Sequence, residues 1–221
     1  VREAISSETW EQLNEFYHFV RGASAASVAR ESPSEFLQEV KRHSHLFHGI
    51  TDGTMSHGKG WHFFNVGRLL ERADKTSRIL DVKYFTLLPS VHDVGTTIDD
   101  LQWSAVLRSV SGFEMFRKRH HGITLRRVVD FLVLEREFPR AVNFCVIHAD
   151  DSLHAISGTP GGAFRNPAEQ RLGQIRAGLA YLDVETVVNQ GMHEFIDALQ
   201  SKLNSVGNAI HDTFFSQRPL D

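Results

Sequence analysis

Trp61-His62-Phe63-Phe64-Asn65-Val66-Gly67-Arg68-Leu69-Leu70-Glu71-Arg72-Ala73-Asp74-Lys75-Thr76-Ser77-Arg78-Ile79-Leu80-Asp81 is a run without proline, rich in strong helix formers. At 100° per residue, Val66, Leu69, Leu70, Ala73, Ser77, Leu80 and Tyr84 gather on one arc, the face an amphipathic helix turns to a core. The opposite side carries Gly67, Glu71, Asp74, Lys75 and Arg78, with the apolar Phe64 and Val82 nearly in line with Glu71. Phenylalanine is out of place on a solvated face. Trp61 and Ile79 also fall between Arg68, Arg72 and Lys75, so apolar and ionic groups interleave almost all round. This pattern predicts a central helix whose charges sit in a partly buried network. The plainer reading is two acid-first i,i+4 pairs, Glu71 with Lys75 and Asp74 with Arg78, each worth about 0.2–0.5 kcal/mol on an exposed surface.

The flanking sequence extends the helical reading. Ser6 or Ser7 can cap a helix through Trp10, Leu13, Phe16, Tyr17 and Val20. Ser32-Pro33-Ser34-Glu35 and Asn166-Pro167-Ala168-Glu169 each place a cap, a proline at the first helical position and a glutamate three after the cap. Asp99 or Asp100 is expected to cap a helix through Leu107, Thr124 one from Leu125 to Arg136, and Pro139 to begin another through Leu153. A last long pattern includes Phe195, Leu199, Leu203, Val206, Ile210 and Phe214. Gly22 to Arg30 reads as a linker and Pro89 to Thr97 as a loop. Period-two alternation is almost absent. The expected fold is all-α, a bundle of about eight helices.

An internal repeat is also expected. Glu35-Phe36-Leu37 matches Glu194-Phe195-Ile196, with Val40 facing Leu199 and Phe47 facing Val206; Ala4-Ile5-Ser6 resembles Ala155-Ile156-Ser157. Residues 1–55 then read as the C-terminal part of a first helical repeat, 56–215 as a complete second one within the same compact domain, and 216–221 as a tail. On this reading a further helical portion precedes residue 1, and apolar surface left by it is open or closed by another copy of the chain.

Composition narrows the partners. The 221 residues carry a net charge of −3 and no basic run beyond Arg117-Lys118-Arg119, so nucleic acid is not an expected partner. No apolar segment approaches the roughly 18 residues that span a bilayer, which makes a cytoplasmic, membrane-free protein the expectation. Cys145 is the single cysteine and lies in an apolar run, a core thiol rather than part of a disulfide or a Cys-rich zinc site. His43, His45, His48, His57 and His62 crowd one region, but His43 and His45 point to opposite sides of a helix, so no metal site is expected. Glu15-Phe16-Tyr17-His18 has di-iron spacing without the second copy such sites need. Gly58-Lys59-Gly60 before a helix can offer amides and an ammonium to an anion, yet lacks the P-loop pattern.

Thr54-Met55-Ser56-His57-Gly58, Gly60-Trp61-His62-Phe63, Gly67-Arg68-x-x-Glu71-Arg72-Ala73-Asp74, Phe138-Pro139-Arg140 and His193-Glu194-Phe195 together resemble the bacterial alpha-E domain family. The resemblance covers nearly the whole chain and rests chiefly on the G-R-x-x-E-R-A-[DE] core. It implies an all-helical fold with a related segment near the N-terminus, which is absent here. It names no reaction and no cofactor. It implies a part in a peptide ligation or modification system beside ATP-grasp-like and transglutaminase-like proteins, and importance for Gly67, Arg68, Glu71, Arg72, Ala73 and Trp61. Lys59 departs from the glutamate expected of many relatives.

Two functions follow as expectations. One is a helical accessory module that binds an ATP-grasp-like or transglutaminase-like partner, or its peptide product, through Arg68, Arg72, Asp74, Arg78, Trp61 and His57. The other is an enzyme of the same pathway with Glu71 as buried general acid or base and Arg68 or Arg72 holding an anion.

Overall fold

The computed structural model describes residues 2–24, 28, 32–86 and 96–216, the side chains of residues 2 and 84–86 excepted. Most of the expected Gly22–Arg30 linker, the Pro89–Thr97 loop up to residue 95, the Tyr84 side chain and nearly all of the tail lie outside them. Ten α-helices account for most of the described residues, and no strand occurs among these. They are α1 (Ser7–Gly22), α2 (Pro33–Thr54), α3 (Lys59–Thr86), α4 (Thr97–Ser109), α5 (Phe113–Arg119), α6 (Leu125–Val129), α7 (Val142–Ser157), α8 (Pro167–Ala180), α9 (Val184–Gln190) and α10 (Met192–Phe214). The chain divides into two compact units, Val1–His62 and Phe63–Asp221, the division falling inside α3. No helix of the described residues is long and apolar enough to cross a membrane.

The first unit is a helical hairpin. Ser6 caps α1 by accepting from the Thr9 N–H, and its hydroxyl lies 2.6 Å from that of Thr54 at the far end of α2. Gln12 Nε2 meets His43 Nδ1 at 3.0 Å, and Phe19 stacks on Phe36, so the two helices run antiparallel. Ser32 caps α2 as expected, with Pro33 at its first position.

The second unit holds a continuous apolar core. From α3 it takes Val66, Leu69, Ala73 and Leu80, and Ser77 is buried with them, as the arc predicts. Around them pack Trp103 and Leu107 of α4, Cys145, Val146 and Leu153 of α7, Leu172 and Ile175 of α8, and Ile196, Leu199, Leu203 and Val206 of α10. Asn166 caps α8 through the Glu169 N–H at 2.9 Å, the second expected cap.

Several expectations need correcting. Only part of the charge on α3 is drawn in: Arg68, Arg72 and Asp74 are half-buried, while Glu71, Lys75 and Arg78 are exposed and Val82 is 55% exposed. The buried charge is Lys83, 0% exposed, whose ammonium reaches Asp99 at 2.9 Å and Gln102 at 2.7 Å beside the Trp103 ring. Thr96, not Asp99 or Asp100, caps α4; the hydroxyl is one residue before the helix, and Asp99 is drawn to Lys83 instead. The helix capped by Thr124 ends at Val129 and continues as a π-helical turn, Asp130–Leu134. Helix α7 begins at Val142, not Pro139, because Phe138 turns inward and stacks on Phe131 at 4.6 Å. Close contact at this point leaves no room over Gly112, where a Cβ would come within 2.9 Å of the Phe138 ring.

Candidate functional site: an arginine cluster at the start of α7

Anchoring Phe138 in the core holds the 135–141 loop across the middle of α3. Asn143 supports it from α7, donating to the Leu134 carbonyl at 2.9 Å. On the facing side of α3, Asn65 is buried and donates to Ser152 Oγ at 2.9 Å, which leaves its oxygen to accept from Arg68 Nη2. One turn on, Arg72 Nη1 donates to the Pro139 carbonyl at 3.3 Å, and the Cys145 thiol shares that acceptor at 3.5 Å. Arg140 completes the group. Burial lowers its guanidinium's affinity for a proton first, and the like charge of Arg72 lowers it further.

Burial pushes the Cys145 thiol up to about 12, although Arg72, Arg68 and Arg140 all pull the other way. Three cations therefore bear on one buried sulfur that stays protonated at neutral pH. A thiol in that state is a poor nucleophile. The partner of Arg72 is a backbone carbonyl, which holds the cation without neutralising it. Acids of the same loop are engaged elsewhere: Glu135 and Glu137 both pair with Arg119. Asp74 is taken by Arg78 at 2.8 Å and Lys75 at 3.8 Å. Among the described residues neither Arg72 nor Arg140 has a carboxylate in ion-pair reach.

The start of α7 adds to the same field. Its N-cap is Ala141, which offers no side-chain acceptor to the first amides, so the positive end of the helix is uncapped. Such an end favours a negative charge, and two arginines beside it are of the wrong sign for stability.

Of the residues expected to form a site, Arg68 and Arg72 come together. Asp74, half-buried, and Arg78, exposed, make their own pair further along α3. Glu71, expected to be buried and paired, is exposed and has no ion pair or hydrogen bond among the described residues. Its expected partner Lys75 instead lies 3.8 Å from the carboxylate of its sequence neighbour Asp74. Trp61 and His57 belong to the first unit, where their rings stack at 4.1 Å and His57 Nε2 donates to the Asp52 carbonyl at 3.1 Å. Among the described residues no group of three or more His, Cys, Asp or Glu side chains could hold a metal ion. Arg140 was missed as a site residue, although Phe138-Pro139-Arg140 stands among the matching motifs. Only folding the loop onto α3 brings it to Arg72.

Comparison with known families matches residues 1–215 to Alpha-E, described as a predicted alpha-helical domain with a conserved ER motif. The chain belongs to this family. No curated protein and no solved structure matches it.

Proposed function

We propose that this Alpha-E domain is a helical binding module that receives an oxyanion, a carboxylate or a phosphate, between Arg72 and Arg140, with Arg68 alongside. In this reading it serves as an accessory of a bacterial peptide ligation or modification system, docking an ATP-grasp-like or transglutaminase-like protein or the peptide it makes. The observation that carries the proposal is a pair of partly buried arginines that feel each other's charge and, among the described residues, have no carboxylate in ion-pair reach, at an uncapped helix start. Guanidinium forks bind both anions in two-pronged fashion. A reaction at Glu71 draws no support from the geometry, since general acid or base work needs a carboxylate held by its surroundings.

The test is titration with inorganic phosphate and with a short peptide bearing a free C-terminal carboxylate, at low ionic strength. Arg72→Met and Arg140→Met are each expected to weaken binding at least tenfold, and Arg78→Met, already paired with Asp74, to leave it unchanged. Equal loss in all three variants, or no saturable binding by the parent protein, overturns the proposal. Co-purification with the neighbouring gene products then tests the partner.

A further inference from the structure

A second feature lies at the other end of α7, apart from the arginines. Between α7, α8 and the loop joining them is a cavity of about 620 Å3, lined among others by Asp151, His154, Phe164 and Arg176. The loop side of its rim is Gly161-Gly162-Ala163-Phe164. Two tethers hold this loop. From α8, the buried Glu169 accepts from the Thr159 hydroxyl at 3.1 Å and the Arg165 N–H at 2.6 Å. From α7, His154 Nε2 lies 3.0 Å from the Ala163 carbonyl oxygen, while its Nδ1 lies 2.8 Å from that of Asp150.

A carbonyl oxygen only accepts, so each contact needs an N–H, and a neutral imidazole has one. The geometry therefore needs the imidazolium. The charges facing it agree. Asp150, on its own helix, brings a carboxylate oxygen within 3.5 Å of Nδ1, and Glu169 faces it from α8. Of the nearby cations, Arg176 from α8 is engaged with Asp150 and Asp151 at 2.9 and 2.6 Å, and Arg165 of the loop is exposed. Asp151 is the remaining acid on α7, and it shares Arg176.

We propose that His154 is a proton-operated latch: as imidazolium it ties Ala163 to α7 and holds the rim of this solvent-open cavity in place, and as neutral imidazole with its proton on Nδ1 it lets Gly161–Phe164 swing away. The proton lost is the one on Nε2, because Nδ1–H is held by both the carbonyl and the carboxylate of Asp150; the Nε2 lone pair then faces the Ala163 carbonyl oxygen, which repels it. The Gly161-Gly162 pair provides the hinge, Gly162 sitting at φ 82°. The Glu169 tether stays made, so motion is confined to the rim and does not unfold α8.

The direction of the pH dependence follows. Burial lowers the proton affinity of His154, but the hydrogen bonds to Ala163 and Asp150 and the charges of Asp150 and Glu169 outweigh it, and the balance is raised. The latch is therefore shut below the ordinary imidazole range near pH 6.5 and released as pH rises through the higher folded value.

Nitrogen-15 NMR of the His154 ring tests this together with amide hydrogen exchange of residues 161–164, corrected for the intrinsic pH dependence of exchange. Both ring nitrogens should carry protons at pH 5.5, and protection of the Ala163 amide, which donates to the Pro160 carbonyl at 3.2 Å, should fall at least tenfold as His154 deprotonates. In His154→Gln the protection should be low and independent of pH. A ring that titrates at or below 6.5, a rim step with a different midpoint from the ring, or a step that survives in His154→Gln overturns the latch. The ring and rim midpoints are both read in the parent protein, so the test stands even if the variant folds poorly.

Discussion

At its N-terminal end α7 meets Arg72 and Arg140, two like charges with no acid in reach among the described residues; at its C-terminal end Asp150, Asp151, His154 and Arg176 pair with opposite signs, and Glu169 adds its charge from α8. Helix polarity makes the contrast sharper. Cations oppose the positive end of a helix and suit its negative end. The imidazolium of His154 is therefore where the helix favours it, one turn before the left-handed cap at Gly158 (φ 71°). Arg140, directly before the cap residue Ala141, is where the helix disfavours it. One end holds the fold by paired charges; the other is the end at which the proposed function places an anion.

The largest effect should come from breaking the compensated end. Asp150 has a side chain 5% exposed and serves Arg176. Asp150→Ala should cost about 2–3 kcal/mol in urea unfolding, below the 3–5 of a fully buried pair because Asp151 still holds Arg176. A cost under about 1 kcal/mol would mean that the network does not carry the stability assigned to it.

Glu169→Gln is the next smaller change. The amide keeps one acceptor oxygen but gives up the second and the charge, a loss of about 1–2 kcal/mol at neutral pH. Burial raises the Glu169 carboxyl, yet hydrogen bonds from Ser157, the Arg165 N–H and Thr159, with the charge of His154, bring it below the ordinary value. A depressed carboxyl stabilises above its unfolded value, about 4.3, and the contribution is lost as pH falls through the folded one. Parent and variant should therefore converge in stability below pH 4. Curves that stay parallel would show that the charge of Glu169 is not what holds the loop.

At the uncompensated end the sign should reverse. Arg140→Gln removes a cation from beside a positive helix end and from beside Arg72, and should raise stability by about 0.3–1 kcal/mol at low salt. Added salt should erase the gain. Phosphate should raise the melting temperature of the parent protein and not of the variant. Destabilisation by Arg140→Gln at low salt would put Arg140 among the structural charges and remove the contrast between the ends.

Legibility in the sequence followed the range of the interaction. Ser32-Pro33 and Asn166-Pro167 were readable as helix starts because a cap acts over three residues, and the buried arc of α3 was readable because it repeats every turn. Helices α5 and α9, seven residues each, are too short to show a period. Lys83 was not read as buried, since its partners Asp99 and Gln102 lie on another helix and polarity alone marks a lysine as exposed. The cluster at the end of α7 was half legible. Asp150 and His154 are one turn apart, but Arg176 reaches Asp150 and Asp151 only when α8 folds back. Arg72 and Arg140 are likewise joined by a loop that only the stacked Phe138 positions.

The smallest effect belongs to the residue the sequence placed at the centre. Glu71 and Arg72 are the Glu-Arg pair in the segment matching the family core, and they point to different surroundings: Arg72 into the loop carbonyl of Pro139, Glu71 to solvent. An exposed carboxylate with no partner among the described residues contributes little to the fold. Glu71→Gln should shift stability by less than about 0.5 kcal/mol. Phosphate affinity should tighten slightly, by no more than a few-fold, because one negative charge leaves the neighbourhood of Arg68 and Arg72. What Glu71 does must then be sought in a complex. If Glu71→Gln leaves folding and phosphate binding intact but abolishes capture of a partner protein, the two residues of the motif divide the work, one facing the anion and the other the partner. A loss of 3 kcal/mol or more would instead return Glu71 to the buried network that its place in the sequence suggests.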